Sequence, residues 1–479
     1  MTDSFDNRAV AALTERVASE ITRNGPMPVS QYVNACLYDH DYGFYMRSGG
    51  GRAGGSRGDF LTAPEVGPLF GAVIAKALDA WWVDLGKPSP FVVIDWGAGP
   101  GTLTRSVLDA KPLCMSAHAL QWVAVELSAA QRKLHIDHPM VTSVASVEDV
   151  LLQRAECGII IANELLDNLP FDIVQRTVGG WNELRVVVTD ETDTANPNEA
   201  DKTGADKNSR ADETGKSSQS TNNEPPAFSL VAVPAVDSLT TNLPALSDVE
   251  VGTCLPVQNA ARRWVAEAHR QLNSGRIVAL DFFGFASAAQ QPSIEAHFKE
   301  HIEAVEAQAG FNSSSQYDSQ MDGSILPTNG QLASQYHTSR KPVFQAEEYT
   351  FSETASEGSD SPPTLENSSA GLKWLRTHKQ HSHAFSWLEK PGSCDITANV
   401  DFHQIQIDHK AQQRQTMADF LREHGIEELV AEGRRIWLER ASLGDLEAMK
   451  ARSRIGEAVA LLAPNGFGGF QVLTWIIND

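Results

Sequence analysis

The feature that most restricts the fold is an apolar run opening onto close-set glycines: Phe91-Val92-Val93-Ile94, then Asp95-Trp96-Gly97-Ala98-Gly99-Pro100-Gly101-Thr102-Leu103. A buried strand that passes through such a loop into a helical pattern is the opening unit of a parallel sheet covered by helices. Gln121–Val125, Gly158–Ile161 and Arg276–Leu280 repeat the theme, each followed within two positions by polar or acidic residues. Open α/β sheets bind ligands just beyond the carboxyl ends of their strands, so those polar residues mark the expected site.

Glycines at alternate positions let the backbone turn sharply and approach a ligand more closely than a Cβ permits, while the following helix offers free N–H groups. The loop therefore suits a nucleotide-like cofactor, contacted through Asp95, Gly97, Ala98, Gly99, Gly101, Thr102 and Leu103. Dinucleotide enzymes need a third glycine where this chain has Thr102, which favours S-adenosylmethionine (SAM) over a nicotinamide. Glu126, followed by Leu127, closes the second strand, and its two oxygens suit the two hydroxyls of a ribose. An ordinary βα turn and a solvated strand-end glutamate are the plain alternatives.

Asn163-Glu164-Leu165-Leu166-Asp167-Asn168-Leu169-Pro170 places amides and carboxylates at the mouth of the same site, with Asn163 on the cofactor side. Methyl transfer from a sulfonium is an in-line displacement, so the nucleophile must be held in line and its N–H groups oriented by acceptors. Glu164 and Asp167 are the candidates, and either Asn163 or Asp167 is expected to cap the next helix.

A length of 479 residues suggests two domains or one domain with large insertions, and the patterning favours the second. A formal charge of −22 argues against nucleic acid, although an acidic body attracts a cationic substrate. No apolar run approaches a membrane span, and Met1 to Asn7 is neither a secretory nor an Arg-rich import leader, so a cytoplasmic location without membrane insertion is expected. The five cysteines are scattered without a CxxC pair. His378, His381 and His383 lack the companion ligands of a metal centre, so no metal is expected.

Val10, Leu13, Val17 and Ile21 predict an amphipathic helix stopped by Gly25-Pro26, and a second short helix follows Ser30. Gly49–Gly55 reads as a mobile surface loop. Phe171–Thr189 reads as a hairpin around Gly179-Gly180, with Phe228–Val233 as its return strand. The expected layout is an N-terminal helical and lid segment over 1–90 and a core over 91–285 containing a disordered linker at 190–226. A low-complexity insertion over 286–370, a mainly helical substrate-side lobe over 371–440 and a C-terminal return to the sheet over 441–479 complete it.

Five ordered blocks together resemble the MidA family of class I SAM-dependent methyltransferases. They are Tyr42–Met46, Gly58–Glu65, Gly97–Leu103, Ala162–Pro170 and Asp395–Phe402. The resemblance implies a Rossmann-like methyltransferase core with a seven-stranded, mostly parallel sheet and SAM as cofactor. It implies that Asp59 and Thr62 bind the cofactor and that Glu65 joins Glu164 and Asp167 in catalysis. Mitochondrial members are arginine methyltransferases that assist assembly of a respiratory complex. The expected activity is thus methylation of a protein side chain, an arginine guanidinium first, on a partner such as a respiratory-complex subunit; the oligomeric state is left open, with a homodimer as the candidate. The rival expectation is a non-catalytic or SAM-sensing assembly factor. The chain departs from the family pattern at Asp281-Phe282-Phe283-Gly284, where Asp-Tyr-Gly is usual.

Overall fold

The computed structural model describes residues 2–47, 61–149, 155–189, 226–284, 372–378 and 386–478. The expected Gly49–Gly55 loop, the linker up to residue 225, the 286–370 insertion, Asp59, His381 and His383 lie outside the described residues.

Leu13, Val17 and Ile21 share the buried face of helix α1 (Thr2–Asn24), which ends where Gly25 takes φ +85° and donates its N–H to the Ile21 carbonyl at 2.8 Å. Strand β1 (Met27–Pro28) leads directly into α2 (Val29–Tyr38). Two further helices, α3 (Ala63–Val66) and α4 (Pro68–Asp84), precede the central sheet.

That sheet is opened by β2 (Phe91–Trp96), after which α5 (Thr102–Ala110) returns the chain to β3 (Leu120–Val125) and β4 (Val141–Val144). The chain then crosses to the other side of β2 as β5 (Ala155–Asn163). Phe91 to Ile94 and Ile159 to Ala162 are all buried, as strands covered by helices on both faces must be. The final order is β13 (Gln413–Thr416), β14 (Gln471–Ile477), β10 (Leu272–Asp281), β5, β2, β3, β4. From β10 to β4 every pairing is parallel, whereas β14 runs antiparallel to β10 and β13 antiparallel to β14. The fold is mixed α/β around a mostly parallel sheet. The strand order reverses between β2 and β5, which opens a crevice at their carboxyl ends.

The hairpin after β5 belongs to a second, antiparallel sheet of β6 (Asp172–Thr177), β7 (Gly180–Thr189), β8 (Ala227–Pro234) and β9 (Cys254–Val257), with β1 pairing β7. The region after residue 371 differs from the helical lobe the sequence suggests. Its first part is a two-stranded sheet, β11 (Leu375–His378) against β12 (Asp395–Ala398), and β13 joins the central sheet. The reason is shared burial: Leu372, Trp374, Leu375, Ile396 and Ala398 pack in one core with α1, α2 and the second sheet. Helices do follow, at Met417–Glu423 and Ile426–Arg440, but they pack with α4 and Leu446–Leu462 over one face of the central sheet.

Candidate active site

The carboxyl ends of β2, β3, β4 and β5 border a cleft of about 500 Å³, within the range of small-molecule and cofactor sites. Its floor is the glycine loop. Gly97 (φ +81°) and Gly99 (φ +53°) both occupy the left-handed region that disfavours side chains. The N–H groups of Gly97 and Ala98 donate to the Val125 carbonyl at 2.9 and 3.0 Å, which fixes the loop to the end of β3. A Cβ on Gly97 would lie 2.9 Å from Leu165 Cδ1, whereas one on Gly99 would meet nothing within 4 Å, so the loop keeps a bare backbone face toward the cleft.

Glu126 folds back over this loop. Its carboxylate accepts the Gly99 N–H at 3.0 Å and the Ser128 N–H at 2.7 Å, while burial raises its pKa. Asp95 accepts from Thr104 Oγ1 at 3.1 Å, and burial pushes its pKa up to about 7. Thr62, Leu103, Leu127 and Asn163 also line the cleft, as do Gly97, Ala98, Gly99 and Thr102. Gly101 caps the N-terminus of α5 just behind them. Glu65 accepts the Thr102 hydroxyl at 2.5 Å, which joins α3 to the start of α5. A bare backbone, the first turn of a helix and a strand-end carboxylate are the donor set an adenosine-bearing cofactor requires, so the residues present fit SAM.

Across the cleft, Glu164 is a non-glycine residue at φ +51°. A conformation of this kind costs on the order of 1–3 kcal/mol and persists only where its surroundings impose it. Three contacts do so here. The Glu164 N–H donates to the Leu280 carbonyl at 2.8 Å, and its side chain accepts the Ala63 N–H at 2.8 Å and Asn163 Nδ2 at 3.1 Å. Burial pushes the Glu164 pKa up to about 8. Asp167 stands outside the cleft lining, behind Glu164. Its Oδ1 is buried with no hydrogen-bond partner among the described residues, and burial raises its pKa with help from Asp281, Asp395 and Glu164.

Neither Asn163 nor Asp167 caps the short helical turn Leu166–Asn168, contrary to the sequence expectation. The cap comes from across the sheet: Asp281 at the end of β10 accepts the N–H groups of Leu165 at 3.2 Å and Leu166 at 2.8 Å. Other participants also come from remote parts of the chain. Tyr38 and Tyr45 stack with ring centroids 5.8 Å apart and line the cleft, Tyr38 donating to the Asn168 carbonyl at 3.2 Å and Tyr45 to Asp395 Oδ1 at 2.7 Å. His135 supports the loop from behind, with Nε2 2.8 Å from the Gly99 carbonyl and Nδ1 2.7 Å from Ser143 Oγ. Tyr45 and Asp395 fall in blocks that carried the family resemblance, but nothing local to His135 or Tyr38 pointed to the site. His378 pairs in register with Asp395, away from the cleft lining.

With this geometry in place, the chain matches the family of S-adenosyl-L-methionine-dependent methyltransferases designated Methyltransf_28 over residues 73–310 and 362–421. The chain belongs to that family, and SAM is its cofactor. Among curated relatives, a Drosophila melanogaster protein named "Protein arginine methyltransferase NDUFAF7 homolog, mitochondrial" is 27% identical over 199 residues, 37% of this chain and 45% of the relative. The Danio rerio protein named "Protein arginine methyltransferase NDUFAF7, mitochondrial" is 27% identical over 208 residues, covering 38% and 48%. The chain thus spans about half the length of the curated relatives it matches. Their mitochondrial names do not match a cytoplasmic expectation. A crystal structure from Burkholderia thailandensis, bound to S-adenosyl-homocysteine, shares the fold with a TM-score of 0.61 at 20% identity, over 98% of this chain and 92% of that one. Among the described residues no helix is long and apolar enough to cross a membrane.

Proposed function

We propose that the protein transfers the SAM methyl group to an arginine guanidinium of a partner protein. The observation that carries this reading is a cluster of carboxyl groups at that end of the cleft: Glu164 on its lining, with Asp167, Asp281 and Asp395 buried next to it, and an Asp167 oxygen without a partner among the described residues. Buried carboxylates in that number call for a cation, and guanidinium is the side-chain cation that stays protonated and presents a planar fork of donors.

SAM supplies an electrophilic methyl group on a sulfonium when bound. The remaining work falls to the protein. Asp95, Glu126, Thr62 and the glycine loop hold the cofactor, and the family resemblance adds Asp59. Glu164, on the cleft lining, orients one guanidinium nitrogen toward the methyl, with Asp167 buried beside it. When the new N–C bond forms, that nitrogen must shed a proton, and Glu164, whose pKa stands near operating pH, takes it. Glu65 contributes a third carboxylate from α3.

The names of the relatives support an arginine acceptor, and the family resemblance makes a respiratory-complex subunit the first partner to try. The test is transfer of labelled methyl from SAM to candidate proteins, with the modified side chain located by mass spectrometry. Label on arginine is expected. Label on another residue type would overturn the acceptor assignment, and tight SAM binding without transfer would favour the assembly-factor reading.

A further inference from the structure

The helices Ile426–Arg440 and Leu446–Leu462 form a hairpin whose base and tip differ. At the base, Ile426, Leu429, Val430, Ala458 and Leu461 join the core over the central sheet. Beyond it the two helices pack on each other: a Cβ on Gly433 would lie 2.7 Å from the Ala451 carbonyl oxygen, and Arg452 Cζ stands 5.2 Å from the centroid of the Trp437 ring. No residue from Arg434 to Glu447 is buried. From Val430 to Arg440 the first helix runs about 15 Å past its last core contact, at a rise of about 1.5 Å per residue. The hairpin is therefore an arm.

Its end is apolar. Leu438, Leu443, Leu446 and Met449 are 59–79% exposed, and they occupy the last turn of the first helix, the connecting turn and the first turn of the second. A single exposed leucine is ordinary, whereas several gathered at one tip mark an interaction surface. Cations stand one turn behind them on both helices. Arg434 precedes Leu438 by four positions and Lys450 follows Leu446 by four, so each pair shares a helix face.

The acids of the arm are already matched. Glu439 pairs with Arg435 at 2.9 Å, and Arg440 pairs with Asp445 and, at 3.1 Å, with Glu447. Among the described residues, Arg434, Lys450 and Arg452 have no carboxylate within ion-pair distance. Residues 434–454 hold six cations and three anions, in a chain whose formal charge is −22. Charge is screened over about 8 Å at physiological ionic strength, so the end of the arm presents its own sign rather than that of the body.

We propose that this arm docks the protein on an anionic lipid surface, its leucines entering the boundary between headgroups and acyl chains and its cations resting among the phosphates. The layering of the two residue types decides the partner. A helical turn advances about 5.4 Å, and interfacial apolar faces sink about 5–10 Å, so cations one turn back fall at headgroup level. A helix that docks in a protein groove presents a longer stripe, at i, i+3, i+4 and i+7. Here the exposed large apolar residues stop after one turn of each helix. A second copy docked tip to tip would bring unpaired cations together. The arm lies on the surface without spanning it, since no described helix is long and apolar enough to cross. This docking is independent of the acceptor reading above.

The test is cosedimentation of the full chain with vesicles of phosphatidylcholine alone and of phosphatidylcholine mixed with phosphatidylglycerol, at low and at high salt. Binding is expected to the mixed vesicles only, and salt should weaken it. Leu443→Ser combined with Leu446→Ser should lower the affinity by about tenfold or more, the effect of withdrawing two leucines from apolar surroundings. Arg434→Gln, Lys450→Gln and Arg452→Gln together should lower it by about fivefold for each cation lost near a negatively charged surface. Both variants should keep the wild-type affinity for S-adenosyl-homocysteine and the wild-type urea midpoint, because all five positions are exposed and none lines the cleft. No binding to the mixed vesicles, equal binding to the two kinds, or binding unchanged in either variant would overturn the proposal. Self-association of the wild type that the leucine substitutions abolish, without vesicle binding, would give the arm to a second copy and overturn it too.

Discussion

The two ends of the cleft carry carboxylates under opposite conditions. At the cofactor end, Glu126 accepts two backbone N–H groups, Asp95 a threonine hydroxyl and Glu65 another. At the acceptor end Asp167 has Asp281, Asp395 and Glu164 for neighbours, and one of its buried oxygens has no hydrogen-bond partner among the described residues. At the first end the protein itself supplies donors to all three carboxylates, and Asn163 Oδ1 is left without a partner among the described residues. The second is the end that meets the acceptor in the proposed function. Variants at the two ends should consequently separate cofactor affinity from turnover.

The largest separation is expected from Glu164→Gln. It preserves the shape and the Ala63 N–H contact but removes the proton acceptor. Turnover should fall by roughly 10²- to 10⁴-fold while SAM affinity measured by calorimetry stays within about threefold. Unchanged turnover would remove Glu164 from the mechanism. The same residue should govern a pH effect. Its native pKa of about 8 stands above the 4.5 of the unfolded chain, so the native state holds the extra proton between those values. The stability this contributes is fully present below about pH 4.5 and is lost as pH rises through 8. Asp95, near 7, and Asp281, near 6, act in the same direction. Urea unfolding of the ligand-free protein should therefore become easier from pH 5 to 8, and Glu164→Gln should flatten that slope. A slope unaffected by the substitution would mean that Glu164 ionises normally.

A smaller effect of the opposite kind is expected from Gly97→Ala. The collision with Leu165 Cδ1 involves the end of a side chain that can turn aside, so the positive φ decides the outcome. A Cβ in that region costs on the order of 1–2 kcal/mol. SAM should bind about tenfold more weakly, with turnover at saturating SAM nearly unchanged. Equal losses in both quantities would mean that the two ends are mechanically joined through Leu165.

The same contrast explains what could be read from the sequence. The glycine loop, Glu126 and the buried strands are local patterns: a strand followed by Gly97 and Gly99 has few other uses, and the apolar runs at 91–94 and 158–161 announce their burial. The acceptor end is built from long-range contacts. Asp281 reaches back to Leu165 and Leu166, and Asp395 is met by Tyr45 and Asn168. No spacing along the chain encodes these meetings. The first part of the region after residue 371 is stranded rather than helical for a related reason. Trp374, Leu375, Ile396 and Ala398 are buried against elements some hundreds of residues earlier, and that packing, rather than local periodicity, makes their segments strands.

Glu65 is the residue whose end is decided by the smallest effect. Family resemblance groups it with Glu164 and Asp167, yet its hydrogen bond is to Thr102, at the first turn of the helix that follows the glycine loop. Thr102→Val keeps the branched shape, removes the donor to Glu65 and removes the acceptor for Arg105 Nη2, which lies 2.9 Å away. Glu65 is only partly buried, so water replaces much of what is lost, and the net cost should be about 1 kcal/mol. If Glu65 serves the cofactor, that cost appears as a few-fold weaker SAM affinity with kcat within about twofold of wild type, which is the outcome expected from its present partner. A kcat loss above roughly tenfold at unchanged SAM affinity would instead assign Glu65 to the acceptor end, where displacing an orienting carboxylate costs turnover rather than binding.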